Sequence, residues 1–331
     1  MNNTHMRKYN KIAFSTGGIK GISFIGCIKA LEELNLVNNF KFFGGSSVGS
    51  LIALLLSIDY RSDEMFTTLK KVNLNSLREL KITNILQTYG ISDTNRLGSL
   101  VKFCLMEKGL SPALTFKQLF DIKKNVLVIT GTNINSRESV YFNYRDTPNM
   151  LITDALKISM CIPFFFNAVN LNENIYVDGG LMDPLPSEYI KSFNDEKNEI
   201  SAKFDNVDDN ENDTICENNI DNESDDSNEN CNKSKYKDEC LNVLAFNINN
   251  SLLKRCNKIE DIETFAVSIT ACVLQKMNSL MKLQKDKCID QIDIDTNDFS
   301  AIDFNIKEND ILSLVDLGYK QTKKWFEENE N

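Results

Sequence analysis

The chain has 331 residues, 42% of them hydrophobic, with 47 Asp and Glu against 37 Lys and Arg for a net charge of −10, enough to bury one large core and, by length, to allow two domains. The excess acidity is local, since residues 191–240 hold sixteen acids and six lysines; the remainder is balanced and offers no basic stripe for nucleic acid. Nine scattered cysteines without a C-x-x-C pair argue against a disulfide framework or a zinc site, and a polar start with Leu51–Leu56 as the best apolar run, against about 20 residues for a bilayer span, leads us to expect a soluble, cytoplasmic protein with at most peripheral membrane contact.

Lys11-Ile12-Ala13-Phe14-Ser15 is a short apolar run stopped by Gly17-Gly18, the pattern of a buried strand ending in a tight turn. From Ile22 the apolar residues fall at Ile25, Ile28, Leu31 and Leu34, a step that predicts an amphipathic helix. Phe40 to Phe43 reads as a second strand and Val48 to Ile58 as a strongly apolar helix. The chain thus opens β-α-β-α, with Ser47 between strand and helix. Residues 62–122 read as mainly helical, one helix beginning at Thr94-Asn95-Arg96-Leu97 and closing near Gly109; their Leu and Phe stripe reads as core. Val126 to Thr130 is a strand-forming run, and Ser139 to Tyr144 alternates like a half-buried strand. A helix over roughly 150–159 leads to Pro163, and Asn174 to Val177 forms a short strand ending at Asp178-Gly179-Gly180.

Residues 192–239 are dominated by Asn, Asp, Glu and Ser and bury too little apolar surface to offset the entropy of ordering; they read as an acidic, Asn-rich disordered insertion. A strand at Val243 to Phe246, a helix near 260–285, a strand at Ile292 to Ile294 and a closing helix over roughly 309–327 follow. Strands alternating with helices predict a mainly parallel sheet covered on both faces.

Three motifs carry chemistry. Gly45-Ser46-Ser47-Val48-Gly49 is a G-x-S-x-G nucleophile pattern, in which a strand turning directly into a helix strains the serine and the flanking glycines allow close backbone approach. The helix start also offers free amides, that of Val48 among them, to an oxyanion. The sole histidine is His5, so the proton acceptor is sought among carboxylates and lysines rather than in a Ser-His-Asp triad. Thr16-Gly17-Gly18-Ile19-Lys20-Gly21 joins the first strand to its helix and can point amides at an anion. It matches neither a dinucleotide fingerprint nor a P-loop. Asp178, before Gly179 and Gly180, supplies a carboxylate at a strand end; a Ser-Lys pair built on Lys20 is the competing arrangement.

In this order and spacing, the glycine-rich loop with its basic residue, the G-x-S-x-G turn and the D-G-G turn resemble the patatin-like phospholipase family. Ala13-Phe14-Ser15 and Ser159-Met160-Cys161-Ile162-Pro163 add to the likeness, which covers residues 11–191. The resemblance implies a three-layer α/β/α fold and a Ser47–Asp178 catalytic dyad. It also implies an oxyanion hole lined by the Gly17-Gly18 loop, Lys20 at the family's Arg/Lys position, and no metal or organic cofactor. The sequence departs from the family at Thr16, where the loop's first glycine is usual, and at Asp183, where an Asn is usual before Pro184.

The expected organisation is a patatin-like domain over 11–191, the insertion over 192–239 and an α/β segment over 240–328 that completes the same fold. The expected function is hydrolysis of phospholipid or glycerolipid acyl esters through a Ser47 acyl-enzyme, with transient membrane contact; acyl transfer to an alcohol would use the same residues. A catalytically idle lipid-binding or scaffold protein and an acidic tether for a basic partner stand as alternatives.

Overall fold

The computed structural model describes residues 9–77, 85–193, 242–249, 262–281, 288–296, 299–301 and 304–329. His5 and residues 194–239 of the expected insertion lie outside them.

Strand β1 (Tyr9–Phe14) leads through a 3-10 turn (Gly18–Ile22) into helix α1 (Ser23–Glu33), then β2 (Phe42–Ser46) and α2 (Val48–Ser57). Next come α3 (Ser62–Lys71), α4 (Ile85–Thr88), β3 (Gly90–Ser92), α5 (Asn95–Glu107) and α6 (Phe116–Lys123). The chain continues with β4 (Val126–Asn133), β5 (Glu138–Phe142), α7 (Ile152–Ser159), β6 (Phe164–Phe166), β7 (Val169–Leu171), β8 (Asn174–Asp178) and α8 (Ser187–Ser192). The remaining described elements are β9 (Asn242–Asn249), α9 (Ile262–Met281), β10 (Ile289–Asp295) and α10 (Glu308–Asn329).

The main sheet has the order β10-β9-β1-β2-β4-β8-β7, with β5 also on β4. The run from β10 to β4 is parallel, whereas β5, β8 and β7 join antiparallel. Among the parallel strands the central ones are the buried ones, every residue of β4 and of Lys11–Phe14 in β1 being buried, as expected where helices cover both faces, whereas the edge strand β10 alternates buried and exposed. Adjacent residues Gly44 and Gly45 of β2 point to opposite faces and locate those layers. A Cβ on Gly44 would meet Ile190 of α8, and one on Gly45 would meet the backbone of Gly49 in α2. On the α2 side, Phe14 stacks on Phe246 of β9 with centroids 5.5 Å apart and meets Phe24 of α1 edge-on at 5.2 Å.

Several boundaries differ from the sequence reading. Strand β2 starts at Phe42 rather than Phe40 and continues to Ser46, because its glycines are held in the sheet by close neighbours on both faces. The stretch 62–122 is not helical throughout: Gly90–Ser92 forms a strand that pairs with β6, and neither β6 nor β7 was signalled by periodicity, each being three residues long. The first helix is entered through a 3-10 turn, which lets the loop after β1 fold back over the strand ends.

Candidate active site

Ser47 sits where β2 ends and α2 begins, with φ 55° and ψ −127°, a conformation costly for any residue with a side chain. The surrounding glycines explain why the chain accepts it. A Cβ on Gly45 would strike the Gly49 backbone, and one on Gly49 would strike the carbonyl oxygens of Phe14 and Ser15. Strand, helix start and the end of β1 therefore touch backbone to backbone, and Ser47 caps the contact.

The Ser47 hydroxyl donates to Asp178 Oδ2 at 2.6 Å. The other carboxylate oxygen, Oδ1, accepts the Gly180 amide at 2.8 Å. Asp178 is tied at its backbone as well: its N–H donates to Cys161 O at 2.9 Å and its carbonyl accepts the Thr132 hydroxyl at 2.9 Å. Both residues are nearly dry, Ser47 being 3% and Asp178 4% exposed. Burial pushes the Asp178 carboxyl up to about 7, with the hydrogen bonds from Ser47 and Gly180 pulling the other way. A carboxylate so placed is a far better proton acceptor at neutral pH than a solvated one.

Two serines hold Ser47 from behind. Ser159 Oγ accepts the Ser47 amide at 3.0 Å, and Ser50 Oγ donates to Gly45 O at 2.7 Å. The two hydroxyls lie 2.7 Å apart; since the Ser50 proton is engaged with Gly45, Ser159 is the donor between them. Sequence reasoning missed both roles: Ser159 belongs to a stretch noted only for its likeness, and nothing local places it against a residue 112 positions earlier.

The glycine-rich loop lies at the same strand ends. Gly18 has φ +55°, where a Cβ would collide with Ala301 O, and the neighbouring Ile19 amide donates to that same oxygen at 2.8 Å. Gly17 is pressed by the Ile248 side chain, and Gly21 by Val48. Among the described residues the amides of Gly17 and Gly18 donate to no backbone oxygen, and the Val48 amide, first in its helix, has no intrahelical acceptor. Thr16 joins this loop to the D-G-G turn: its amide donates to Pro184 O at 2.8 Å, and its side chain stands where a Cβ on Gly180 would come 2.9 Å from Oγ1. A Cβ on Gly179 would strike Thr130 O, so both glycines of that turn are sterically required. Asp183 accepts from the Tyr141 hydroxyl at 2.8 Å.

Lys20 is not brought to Ser47. Its side chain is fully buried, and among the described residues its Nζ has no hydrogen-bond partner. Burial lowers the amine below the usual lysine range while Asp295 opposes that shift.

From Ser47 an apolar pocket of about 130 Å³ extends between α2, α3 and α5. Its wall includes Val48, Leu51, Leu55, Met65, Leu69, Leu97, Leu100 and Cys104, closed on the other side by Ile162, Phe166 and Phe304. The leucines of α5, expected as plain core, thus also line the cavity. Its lining is almost wholly apolar, with Ser47 among the residues that wall it.

The family model for patatin-like phospholipases matches residues 12–190, a span that contains both glycine turns, Ser47 and Asp178. The chain belongs to the patatin-like phospholipase family. This patatin-like chain is 28% identical over 202 residues to the probable lipid hydrolase 463L of Invertebrate iridescent virus 6, covering 59% of this chain and 68% of the relative. It is 29% identical over 210 residues to uncharacterized protein R571 of Acanthamoeba polyphaga mimivirus, covering 62% and 68%. Among solved structures, VipD from Legionella pneumophila matches with a TM-score of 0.56 at 14% identity, over 97% of this chain and 67% of that one. At that identity the likeness concerns the fold, the patatin-like α/β/α arrangement, which this chain shares.

Proposed function

We propose that this patatin-like chain is a lipid acyl hydrolase that cleaves phospholipid or glycerolipid esters through a Ser47–Asp178 dyad. The observation that carries the reading is the 2.6 Å hydrogen bond from a strained serine to a buried carboxylate, with that serine in the wall of an apolar pocket. Family membership and the similarity to a probable lipid hydrolase support hydrolysis of lipid esters in general.

In this reaction Asp178 Oδ2 takes the hydroxyl proton as Ser47 Oγ bonds to the ester carbonyl carbon. The carbonyl oxygen becomes an oxyanion held by the amides of Gly17, Gly18 and Val48. Collapse breaks the ester bond, and the alcohol leaves with the proton from Asp178. Water then attacks the acyl-enzyme, giving its proton to Asp178; Ser47 departs as the free acid forms and takes that proton back. The acyl chain occupies the pocket toward Leu100 and Cys104, and burial of its methylenes supplies affinity at about 0.8 kcal/mol each. Lys20 and Thr16 act by shaping the loop, not by touching substrate.

The test is a fluorophosphonate probe followed by mass spectrometry of the labelled peptide. Labelling at Ser47, lost in Ser47→Ala and in Asp178→Asn, is the expected result. An unlabelled folded chain would favour the idle scaffold, and labelling at another serine would refute the assignment.

A further inference from the structure

Helix α9 exposes large apolar side chains outside the pocket: Phe265 at 49%, Ile269 at 42% and Leu280 at 45%, with Val273 between them. Spacings of four, eight and fifteen residues from Phe265 place all of them within roughly a 100° arc of a helix. Lys276 stands in the same arc and is also exposed. The helix packs beside β6 and the turn Gly179–Leu181 that follows Asp178. There Phe164 of β6 is held with its ring 49% exposed at φ 66°, a left-handed conformation that is rare and costly for a bulky residue. Met182, just past the turn, is exposed too. The strand that presents Phe164 outward sends Phe166 into the pocket wall, so exposed apolar surface and cavity share one element.

Charge selects the occupant. Although the chain carries a net charge of −10, no acidic residue occurs from Thr264 to Met281, and Lys276 stands among the exposed apolar side chains of this stretch. An anionic lipid surface would receive Lys276, whereas a second copy seated on the same arc would add a like charge to the patch. No described helix is long and apolar enough to cross a membrane, and a helix with this pattern lies in the interface plane. We propose that α9, with Phe164 and Met182, is the face on which the protein docks to an anionic phospholipid surface. This extends the lipid-ester reading above, but its test does not need turnover.

The full chain carrying Ser47→Ala, which leaves vesicles intact, is sedimented with phosphatidylcholine vesicles with and without phosphatidylserine. We expect partition to the phosphatidylserine vesicles, weakened at least about tenfold by the triple change Ile269→Ser, Val273→Ser and Leu280→Ser. Lys276→Glu weakens it only where phosphatidylserine is present, and added salt shrinks that effect. In the chain that retains Ser47, the triple change leaves turnover of a water-soluble short-chain ester as it was. Equal partition of parent and triple variant overturns the proposal, as does absence of the parent from both pellets. A parent dimer that the triple change dissociates without altering partition would assign the face to a second copy. An equal fall in soluble-ester turnover would show that the helix supports the site instead. Failure of Ser47 to turn over any ester would sink the hydrolase reading and leave the partition result standing.

Discussion

Replacing Asp178 by Asn should sharply lower ester turnover and yet stabilise the protein at neutral and alkaline pH. Folding moves this carboxyl from an ordinary 3.8 to about 7, chiefly by burial. Between those values the folded state keeps a proton that the unfolded chain has released, so stability falls as pH rises, at about 1.36 kcal/mol per pH unit for this group. Integrated over the interval, ionised Asp178 costs the fold about 4 kcal/mol above pH 7, a cost absent below pH 4. Asn keeps the shape, with its oxygen accepting from Gly180, and never carries the charge. The two proteins should therefore be of similar stability at pH 4 and diverge to about 4 kcal/mol in favour of Asp178→Asn at pH 8, or about 8–16 °C in melting temperature for a domain of this size. Paired urea and thermal unfolding across that range reads the difference directly, because other carboxylates cancel between the two proteins. A stability difference that does not change with pH would refute the reasoning, since it would mean the carboxyl is not desolvated by the fold. Loss of the base should lower ester turnover by about 10²–10⁴-fold in the same variant.

Ser47→Gly and Ser47→Ala should both be inactive, but the glycine variant should be the more stable by about 1–3 kcal/mol, because only glycine relaxes at φ 55° and ψ −127°; equal unfolding midpoints would argue against strain at this turn. The kcat/KM for a soluble ester should fall as pH drops through about 7, where Asp178 takes up its proton, and His5→Ala should leave the profile where it is; a displaced limb in that variant would implicate the imidazole. Ser159→Ala strips the acceptor from the buried Ser47 amide and should cost about 1–3 kcal/mol, lowering kcat more than it raises KM; an unchanged kcat would show that the amide does not need this anchor. Gly49→Ala drives a Cβ into the Phe14 and Ser15 carbonyls and should destabilise on the order of 3 kcal/mol, visible as a lowered urea midpoint.

The features legible in the sequence are local or nearly so. The alternation of strands and helices, the strand-to-helix placement of Ser47, the presence of Gly17-Gly18 after β1 and of Asp178 at the end of β8 all follow from short windows. There, backbone permissiveness and apolar period leave few choices. With His5 as the sole histidine, the sequence also points to a carboxylate or lysine base rather than a triad. Other features belong to tertiary structure alone. Asp178 reaches Ser47 across β4, whereas Lys20, although it follows the strand paired with β2, has its side chain buried with no hydrogen-bond partner for its Nζ among the described residues; side-chain direction, not strand order or residue type, separates the two. Ser159, Ile248 and Ala301 support Ser47 and the glycine loop from positions far along the chain, and no spacing announces them. The three-residue strands β3, β6 and β7 are too short to show a period and exist because partners pair with them. The α5 leucines have the same pattern whether they fill a core or line a pocket; only the gap left between α2, α3 and α5 distinguishes the two. The elevated Asp178 proton affinity arises in the same way, since desolvation is a property of what surrounds a side chain, and that is assembled only when distant segments close over it.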